Sequence, residues 1–414
     1  MGAKAAIERS DSIFTSEYEA KTPYQHGLRL LRQRQSTFSR SGCQQLTTPI
    51  FVTRPYLPTL AEFMPLLEKI WDSRVLTNNG PFHQQLEAEL RSILGVDHVA
   101  LTSNGMLALN AAIDAAELDG EVITTPYSFV ATSHAVMIGG LKPVFCDVRP
   151  HDLNIDPAAI EAAITPRTSA IVAVHCYGNP CDVEAIEDIA ARHGLQVIYD
   201  AAHAFGVRLR GQSVLGWGDF SALSFHATKA FNTFEGGAVT ARSAAGQLAI
   251  ARLRNFGIAD EVTVDRVGGN SKMSEFNAAL GLLQLQHFDR VLAGRRQVDA
   301  RYRTLLTGVE GIECLAIPAH VEPNFSYFPI LVGPDYPLSR DALYERLKSH
   351  DIFSRRYFFP LLSNLPMYAD LPSAAASNLP VANRAAAQIL CLPIYPELGE
   401  DDQQRVVDIL RAPG

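Results

Sequence analysis

The stretch 218–239, GDFSALSFHATKAFNTFEGGAV, gives the clearest indication of the fold. It opens with an apolar run at 220–225, which has the length of a buried strand and is followed by Lys229. A second apolar run at 237–240 comes after only about a dozen residues, too few for a full crossover helix. The two runs are therefore predicted to be strands of one sheet, with one antiparallel member.

Upstream of this stretch, short β-rich runs alternate with helical patterns. Further strands are predicted at 98–102, 121–124, 143–148, 170–175 and 196–200. Helices are predicted between them at 106–116, 129–138, 157–164 and 183–193. Strands joined by crossover helices form a mostly parallel sheet that is covered on both faces. The sequence thus predicts an α/β fold whose large domain holds a mostly parallel seven-stranded sheet.

The last third of the chain is predicted to form a second, smaller unit. A long helix near 274–300 leads into it, and it contains strands near 324–332, a helix at 339–350 and a C-terminal helix at 401–411. We therefore expect an atypical polar arm at 1–48, a large domain at 49–290 and a small C-terminal α+β domain at 291–414.

Charge and hydropathy exclude several kinds of partner. The net charge is −8 and no dense run of Lys and Arg is present, so nucleic acid is not an expected partner. The longest apolar stretches, such as 169–175, are only strand-sized, and residues 1–14 contain no apolar signal core. We therefore expect no membrane partner and a cytoplasmic location.

The cysteines bear on redox state and on metal binding. Six cysteines in a chain of 414 residues fit reduced thiols better than a disulfide framework. His175, Cys176 and Cys181 invite a zinc interpretation, but no second pair lies at a familiar spacing. The sequence therefore predicts no metal.

The residues that follow the predicted strands carry the chemistry, because ligands of open α/β sheets bind at the carboxyl ends of the parallel strands. Polar, aromatic and glycine residues follow five predicted strands at 103–105, 126–129, 175–178, 200–203 and 224–229. Gly105 opens a helix, so the backbone there suits an anion, although an ordinary βα turn has the same pattern. No motif for a nucleoside triphosphate or a dinucleotide is present.

Asp200 and Lys229 are a candidate charged pair. Asp200 ends an apolar strand, where a carboxylate needs a partner such as a pyridinium nitrogen. A helix cap or a structural ion pair is the alternative for this residue. Lys229 lies beside Ala230 and Phe231, and partly apolar surroundings disfavour its ammonium form and leave a nucleophilic amine. A solvated loop lysine is the alternative.

With YDAAHAFG at 199–206 and TTPYSFVATSHAV at 124–136, the stretch 218–239 resembles the DegT/DnrJ/EryC1/StrS family of sugar aminotransferases. The resemblance runs from about Thr48 to the C-terminus and implies a pyridoxal-5′-phosphate (PLP) enzyme of fold type I. It implies that Lys229 forms the Schiff base with PLP and then moves a proton, and that Asp200 pairs with the ring nitrogen. His203 occupies the position that contacts the 3-hydroxyl of the ring.

The resemblance also implies the remaining cofactor contacts and the assembly. Phe129 matches an aromatic residue stacked on the PLP ring, while Ser224 and the backbone of Gly105 and Met106 match phosphate ligands. Asn270 corresponds to an asparagine that reaches the phosphate of the neighbouring subunit's cofactor. A homodimer with shared active sites is therefore implied.

Two positions depart from the family pattern. Met106 stands where relatives often have Thr or Ala, and Ser271-Lys272 replaces a common Tyr-Arg, which affects the neighbouring substrate contacts.

Arg355 and Arg356 form a pair that suits contact with a diphosphate, and a solvated surface turn is the alternative for this pair. The candidate substrate-binding residues are Tyr177, Glu235, Arg355, Arg356 and Tyr357.

The resemblance implies transfer of an amino group from an amino acid, expected to be glutamate, through pyridoxamine phosphate to a nucleotide-linked keto-sugar. The variant SFHATKAFNTFEGG resembles enzymes acting at C4 of a dTDP-4-keto-6-deoxyhexose. Amination of a C3 ketosugar or of a cyclitol ketone is an alternative. A dehydratase of the family would carry histidine in place of Lys229, and a non-catalytic PLP- or sugar-binding regulator would be expected to lose Lys229 or Asp200.

Overall fold

The computed structural model of the protein describes residues 48–412. The predicted N-terminal arm at 1–48 lies outside these residues, apart from Thr48. Strand β1 (Ile50–Phe51) begins the described chain and pairs in parallel with β14 (Ile352–Phe353). None of the helices within 48–412 combines the length and the apolar character that a bilayer crossing requires.

Two helices precede the main sheet, α1 (Leu60–Ser73) and α2 (Pro81–Leu94). Thr59 starts α1 with a capping box, in which its hydroxyl accepts from the Glu62 N–H at 3.3 Å and the Glu62 carboxylate accepts from the Thr59 N–H at 2.8 Å. α2 has proline at its first position, where the helix needs no N–H donor. Both helices therefore begin where the local residues suit a helix start.

The main sheet contains seven strands: β2 (Val99–Thr102), β3 (Glu121–Thr124), β4 (Lys142–Phe145), β5 (Thr168–Val174), β6 (Gln196–Asp200), β9 (Phe220–Ser224) and β10 (Gly237–Ala241). Their spatial order is β2-β10-β9-β6-β5-β3-β4. All neighbours are parallel except β10, which is antiparallel to both β2 and β9. The predicted α/β fold, with one antiparallel member in its sheet, is confirmed.

Besides α2, the helices that flank this sheet include α3 (Gly105–Ala115), α4 (Val130–Ile138), α5 (Pro157–Ala163), α6 (Val183–His193) and α7 (Ala244–Leu253). Alternate side chains of a strand point to opposite faces of a sheet. On β2, Leu101 accordingly packs in one hydrophobic cluster with Leu90 of α2, whereas Ala100 packs in another with Ala112 of α3. The sheet is buried on both faces, as predicted.

Helix α8 (Glu275–Leu305) has 31 residues and packs against two different parts of the chain. Near its start Leu283 lies in a cluster with Phe63 of α1, and near its end Tyr302 lies in a cluster with Phe328. The helix extends beyond the predicted end near 300, and residues 300–305 contain no glycine or proline that would end it earlier. The proposed domain boundary near 290 falls inside α8, and the division into two domains stays a prediction.

The C-terminal part contains an antiparallel sheet in the order β11-β13-β15, formed by β11 (Ile312–Cys314), β13 (Phe328–Val332) and β15 (Ile389–Leu392). It also contains the helices α9 (Arg340–Ser349), α10 (Pro380–Gln388) and α11 (Glu400–Arg411). The helices predicted at 339–350 and 401–411 are confirmed. A small sheet joins the strands β12 (Val321–Glu322), β7 (Arg208–Leu209) and β8 (Gln212–Ser213).

The strand predicted at 324–332 is wrong in its first part, since β13 begins only at Phe328. Phe325 adopts a φ of 53°, which is incompatible with a continuous strand. The buried Asn324 side chain donates to the backbone carbonyl of His203 at 2.8 Å and to that of Phe205 at 2.9 Å. Residues 324–327 are therefore held against the large sheet's edge.

Candidate active site

The carboxyl ends of β2, β3, β5, β6 and β9 meet at one edge of the sheet, because these strands run in the same direction. Asp200 is the last residue of β6, and Lys229 lies in the turn that follows β9. Gly105 begins the helix that follows β2. The sequence-predicted residues of the cofactor site are thus brought to one edge.

Asp200 is buried and makes two hydrogen bonds through its carboxylate. Thr132 Oγ1 donates to Asp200 Oδ2 at 2.6 Å, and the Ala202 N–H donates to Asp200 Oδ1 at 3.1 Å. Burial raises the pKa of Asp200, whereas these two hydrogen bonds and the charge of Lys229 lower it. The alternative of a helix cap does not fit, because the next regular element after β6 is the strand 208–209 and not a helix.

Lys229 occupies a partly buried position whose environment favours the neutral amine. Removal of water lowers the pKa of Lys229 to about 8, and the charge of Asp200 opposes this change. Its Nζ lies 5.9 Å from the ring centroid of Tyr327. Near neutral pH an appreciable fraction of this lysine is therefore a nucleophilic amine, unlike a solvated loop lysine.

His203 lies beside this pair in an aromatic environment. Its ring stacks on Phe358 with centroids 6.0 Å apart and meets the edge of Tyr327 at 5.0 Å. Burial and the charge of Lys229 hold the pKa of His203 well below its usual range, so the imidazole is neutral. Its Nδ1 has no hydrogen-bond partner among residues 48–412, which leaves a buried polar atom for a bound group.

The turn after β2 and the end of β9 form a narrow anion cradle. Asn104 caps α3 by accepting from the Leu107 N–H at 2.9 Å. A Cβ atom on Gly105 would lie 2.7 Å from the Ser224 Cβ, so only glycine permits this approach. Met106 is half-buried in the same turn. The N–H groups at this helix start and the Ser224 hydroxyl together suit a phosphate.

Helix α4 contributes two further features at the edge. Phe129, which precedes its first turn, leaves 57% of its surface exposed and is thus available to stack on a planar ligand. Thr132 and Ser128 are buried, and their hydroxyl oxygens lie 2.8 Å apart. Sequence analysis placed Ser128 among the residues that follow the predicted strands, but it gave neither hydroxyl residue a role, although a buried strand-end carboxylate requires such donors.

Tyr177 and Tyr357 belong to a connected aromatic group beside His203. The Tyr177 hydroxyl lies 2.7 Å from that of Tyr127 and also donates to the Tyr357 backbone carbonyl. The Tyr357 ring meets the Tyr327 ring at 5.6 Å in an edge-on arrangement. The Tyr177 hydroxyl is therefore engaged by the protein, and this residue shapes the wall of the site.

The two candidate arginines differ in their surroundings. Arg356 forms an ion pair with Asp341 at 2.7 Å, and its guanidinium lies 4.5 Å from the Tyr344 ring and 5.4 Å from the Phe359 ring. Burial raises the pKa of the Tyr357 hydroxyl, and the charge of the nearby, half-buried Arg355 acts in the opposite direction. Arg355 is therefore better placed than Arg356 for a ligand beside the aromatic group.

Glu235 and Asn270 are both exposed within the described part of the chain. Glu235 Oε1 lies 3.6 Å from His226 Nε2, so these residues face each other near the Lys229 turn. Asn270 lies on an exposed segment that includes Val262 and Val267, which are 91% and 95% exposed. Within residues 48–412, no hydrogen bond joins the Asn270 side chain to the site of its own chain.

A metal centre receives no support from the residues that the structure describes. Within 48–412 no group of three or more His, Cys, Asp or Glu side chains is arranged to hold a metal ion. His175 Nδ1 accepts a hydrogen bond from the Cys181 N–H at 3.1 Å, which gives this histidine a structural partner.

Comparisons with known proteins agree with this geometry. Residues 59–411 match the DegT/DnrJ/EryC1/StrS aminotransferase family. The dTDP-4-amino-4,6-dideoxy-D-glucose transaminase of Escherichia coli is 52% identical over 360 residues, which cover 87% of this chain and 97% of that protein. The structure of DesI in the presence of its TDP-sugar product has a TM-score of 0.85 at 38% identity, and the match covers 89% of this chain and 94% of DesI. S. venezuelae DesV in complex with a ketimine intermediate has a TM-score of 0.80 at 31% identity, with 88% of this chain and 98% of DesV covered.

Proposed function

Because the chain belongs to the DegT/DnrJ/EryC1/StrS aminotransferase family, we propose that it transfers an amino group from an amino acid to the C4 ketone of a dTDP-4-keto-6-deoxyhexose. The choice of C4 rests on the 52% identity to the E. coli dTDP-4-amino-4,6-dideoxy-D-glucose transaminase along almost the whole of that protein. The aminotransferase chemistry rests on Lys229 and Asp200, which interact electrostatically at the sheet edge.

PLP is the cofactor, and the residues at the sheet edge fit it. Asp200 would pair with the ring nitrogen, and the buried His203 Nδ1, which has no hydrogen-bond partner among residues 48–412, would face the 3-hydroxyl. Gly105 and Ser224 would hold the phosphate where a larger residue at 105 has no room. When bound, PLP supplies an electron sink that makes the Cα proton of an amino acid acidic.

Lys229 has two tasks in this proposal. Its neutral amine would hold the cofactor covalently, and its Nζ, when free, would accept the Cα proton of the donor amino acid. Both tasks require an unprotonated Nζ, which the lowering of the Lys229 pKa to about 8 favours near neutral pH. Asp200, which accepts hydrogen bonds from Thr132 and the Ala202 N–H, would keep the opposite side of the site negative.

The amino donor, the substrate contacts and the assembly also belong to this proposal. Glutamate is the proposed amino donor. The nucleotide-sugar would lie near Glu235 and Arg355. Tyr177 and Tyr357 would form part of the wall of its binding site, and Arg356 would lie next to that wall. The cytoplasm is the proposed location. A homodimer is proposed because Asn270 lies on a segment that exposes apolar side chains, and exposure of apolar side chains to water is unfavourable.

A substrate panel tests the proposed reaction. The purified protein is incubated with PLP, glutamate and a set of 3-keto and 4-keto dTDP- and GDP-sugars, and the product is examined by NMR. We expect nitrogen at C4 of the dTDP-4-keto-6-deoxyhexose. Nitrogen at C3, or amination of a cyclitol ketone alone, would instead establish one of the alternative substrates.

Subunit mixing tests the shared site. We expect Lys229→Ala and Asn270→Ala homodimers to be inactive or weakly active, while a mixed dimer contains one site with both native residues. Activity should therefore rise when the two variants exchange subunits. No gain after verified exchange would show that Asn270 does not act across the interface.

A further inference from the structure

We propose that Thr132, supported by Ser128, is a positioning residue that keeps Asp200 ionised and directed at the cofactor's ring nitrogen. This inference rests on the proposed role of Asp200. Thr132 lies in the first turn of α4, on a different element from Asp200, and both residues are buried. The distance of 2.6 Å between Thr132 Oγ1 and Asp200 Oδ2 is that of a short hydroxyl–carboxylate hydrogen bond.

The direction of the hydrogen bonds follows from the number of protons available. A threonine hydroxyl has one hydrogen, and Thr132 uses it toward the Asp200 carboxylate. The Ser128 hydroxyl, 2.8 Å from Thr132 Oγ1, must therefore be the donor in their contact. In this arrangement Thr132 accepts a hydrogen bond from Ser128 and donates its own hydrogen to Asp200.

The other groups around Asp200 cannot replace this donor. Lys229 approaches from the turn after β9, but it must lose its charge to act as an amine. Burial lowers the pKa of His175 to about 3 and holds that of His203 well below its usual range, so neither ring supplies charge near neutral pH. The Ala202 N–H is a single neutral donor. When Lys229 is neutral, Thr132 is therefore the side chain whose hydrogen bond offsets the desolvation of the carboxylate.

Thr132→Val tests the proposal, because valine keeps the shape and removes the donor. A hydrogen bond to a charged group is worth about 1.5–3 kcal/mol, so the acid limb of the kcat–pH profile should move up by about one to two pH units. Because the rate falls about tenfold for each pH unit below this limb, we expect kcat on the acid side of the limb to fall by about 10- to 100-fold in Thr132→Val, with little change in KM for the nucleotide-sugar. Thr132→Ser should restore most of both properties.

A matched control and a second readout separate this role from packing. Thr124→Val removes a buried threonine hydroxyl that donates to the Val172 carbonyl at 2.8 Å and should leave the pH profile unchanged. The pH dependence of the absorbance of the PLP-loaded protein, and that of the PLP dissociation constant, should shift in Thr132→Val as the kcat profile does. If Thr132→Val does not fold, Ser128→Ala takes its place, with a smaller shift expected in the same direction.

Asp200→Asn distinguishes failure of this inference from failure of the proposed site. The double variant of Thr132→Val and Asp200→Asn should be no less active than Asp200→Asn alone, because Thr132 acts through the carboxylate. An impaired Asp200→Asn together with an unshifted Thr132→Val would overturn the positioning role alone. If Asp200→Asn has native activity and absorbance, the assignment of Asp200 itself is wrong.

Discussion

Lys229 and Asp200 show how the same environment affects two opposite charges. Burial lowers the pKa of Lys229 and raises the pKa of Asp200. The electrostatic attraction between the two residues opposes both changes. The result is a carboxylate that depends on its hydrogen bonds and an amine that loses its proton easily. Both properties follow from the position of these residues at the ends of buried strands.

The apoprotein should be stabilised when the Lys229 charge is removed. The folded-state pKa is about 8 against an ordinary value of 10.5, so holding the charge below pH 8 costs up to about 3 kcal/mol. We expect Lys229→Met to raise the free energy of unfolding at pH 7, and the gain to shrink as pH rises from 8 toward 10.5. Urea unfolding of the apoprotein at several pH values measures this. The exposed Lys69→Met is the control, and an equal effect of the two variants would contradict the prediction.

The sequence alone marked Asp200 and Lys229 as candidate site residues, because a charged residue next to an apolar strand needs a partner. It could not identify Thr132 as the donor to Asp200, because that hydrogen bond joins α4 to the end of β6. The ion pair between Arg356 and Asp341 is equally invisible in the sequence. Contacts between distant elements therefore account for what sequence analysis missed.

At the scale of elements, the turn between β2 and α3 is fixed by its contact with β9. Gly105→Ala would place a Cβ atom 2.7 Å from the Ser224 Cβ and displace the turn. We expect PLP affinity to fall about tenfold or more, which corresponds to about 1.4 kcal/mol. Isothermal titration of the apoprotein with PLP measures the change. Gly399→Ala, where the added Cβ meets no atom within 4 Å, should bind PLP normally.

A second element contact joins the starts of α2 and α8. The buried Glu275 carboxylate accepts from the N–H groups of Phe82 and His83 at 2.8 Å each. Glu275→Gln would set an amide donor against one of these N–H groups and should lower the free energy of unfolding by about 1.5–3 kcal/mol. Chemical denaturation measures this, with the exposed Glu400→Gln as the control. Equal stability of the two variants would contradict this account of the α2 start.

The regular elements of the main sheet were predictable because each strand is a short apolar run bounded by turn residues. The C-terminal part was less so. β13 begins later than predicted because Phe325 has a positive φ, and such a backbone conformation leaves little trace in composition. β15 and α10 follow a long irregular stretch, where no periodic pattern marks them.

At the scale of the whole molecule, the segment around Asn270 exposes large apolar side chains to solvent. Val262 and Val267 are 91% and 95% exposed, and Phe256 is 48% exposed. Apolar side chains on one exposed segment are typical of a protein interface. The proposed dimer would cover them and bring Asn270 to the partner's phosphate site.

Charged residues on this segment should disrupt the assembly. We expect the double variant Val262→Asp and Val267→Asp to sediment as a monomer and to lose most of its activity, because Asn270 no longer reaches a partner. Its secondary structure should be retained, since both side chains lie outside the core. Sedimentation of the variant as a dimer would show that the interface lies elsewhere.

The proposed function requires that the amine of Lys229 holds PLP covalently. Borohydride reduction of the PLP-loaded protein, followed by digestion and mass spectrometry, tests it directly. We predict a single pyridoxyl-modified peptide, with the label on Lys229. A label on another lysine, such as Lys272, or the absence of any label would contradict the account.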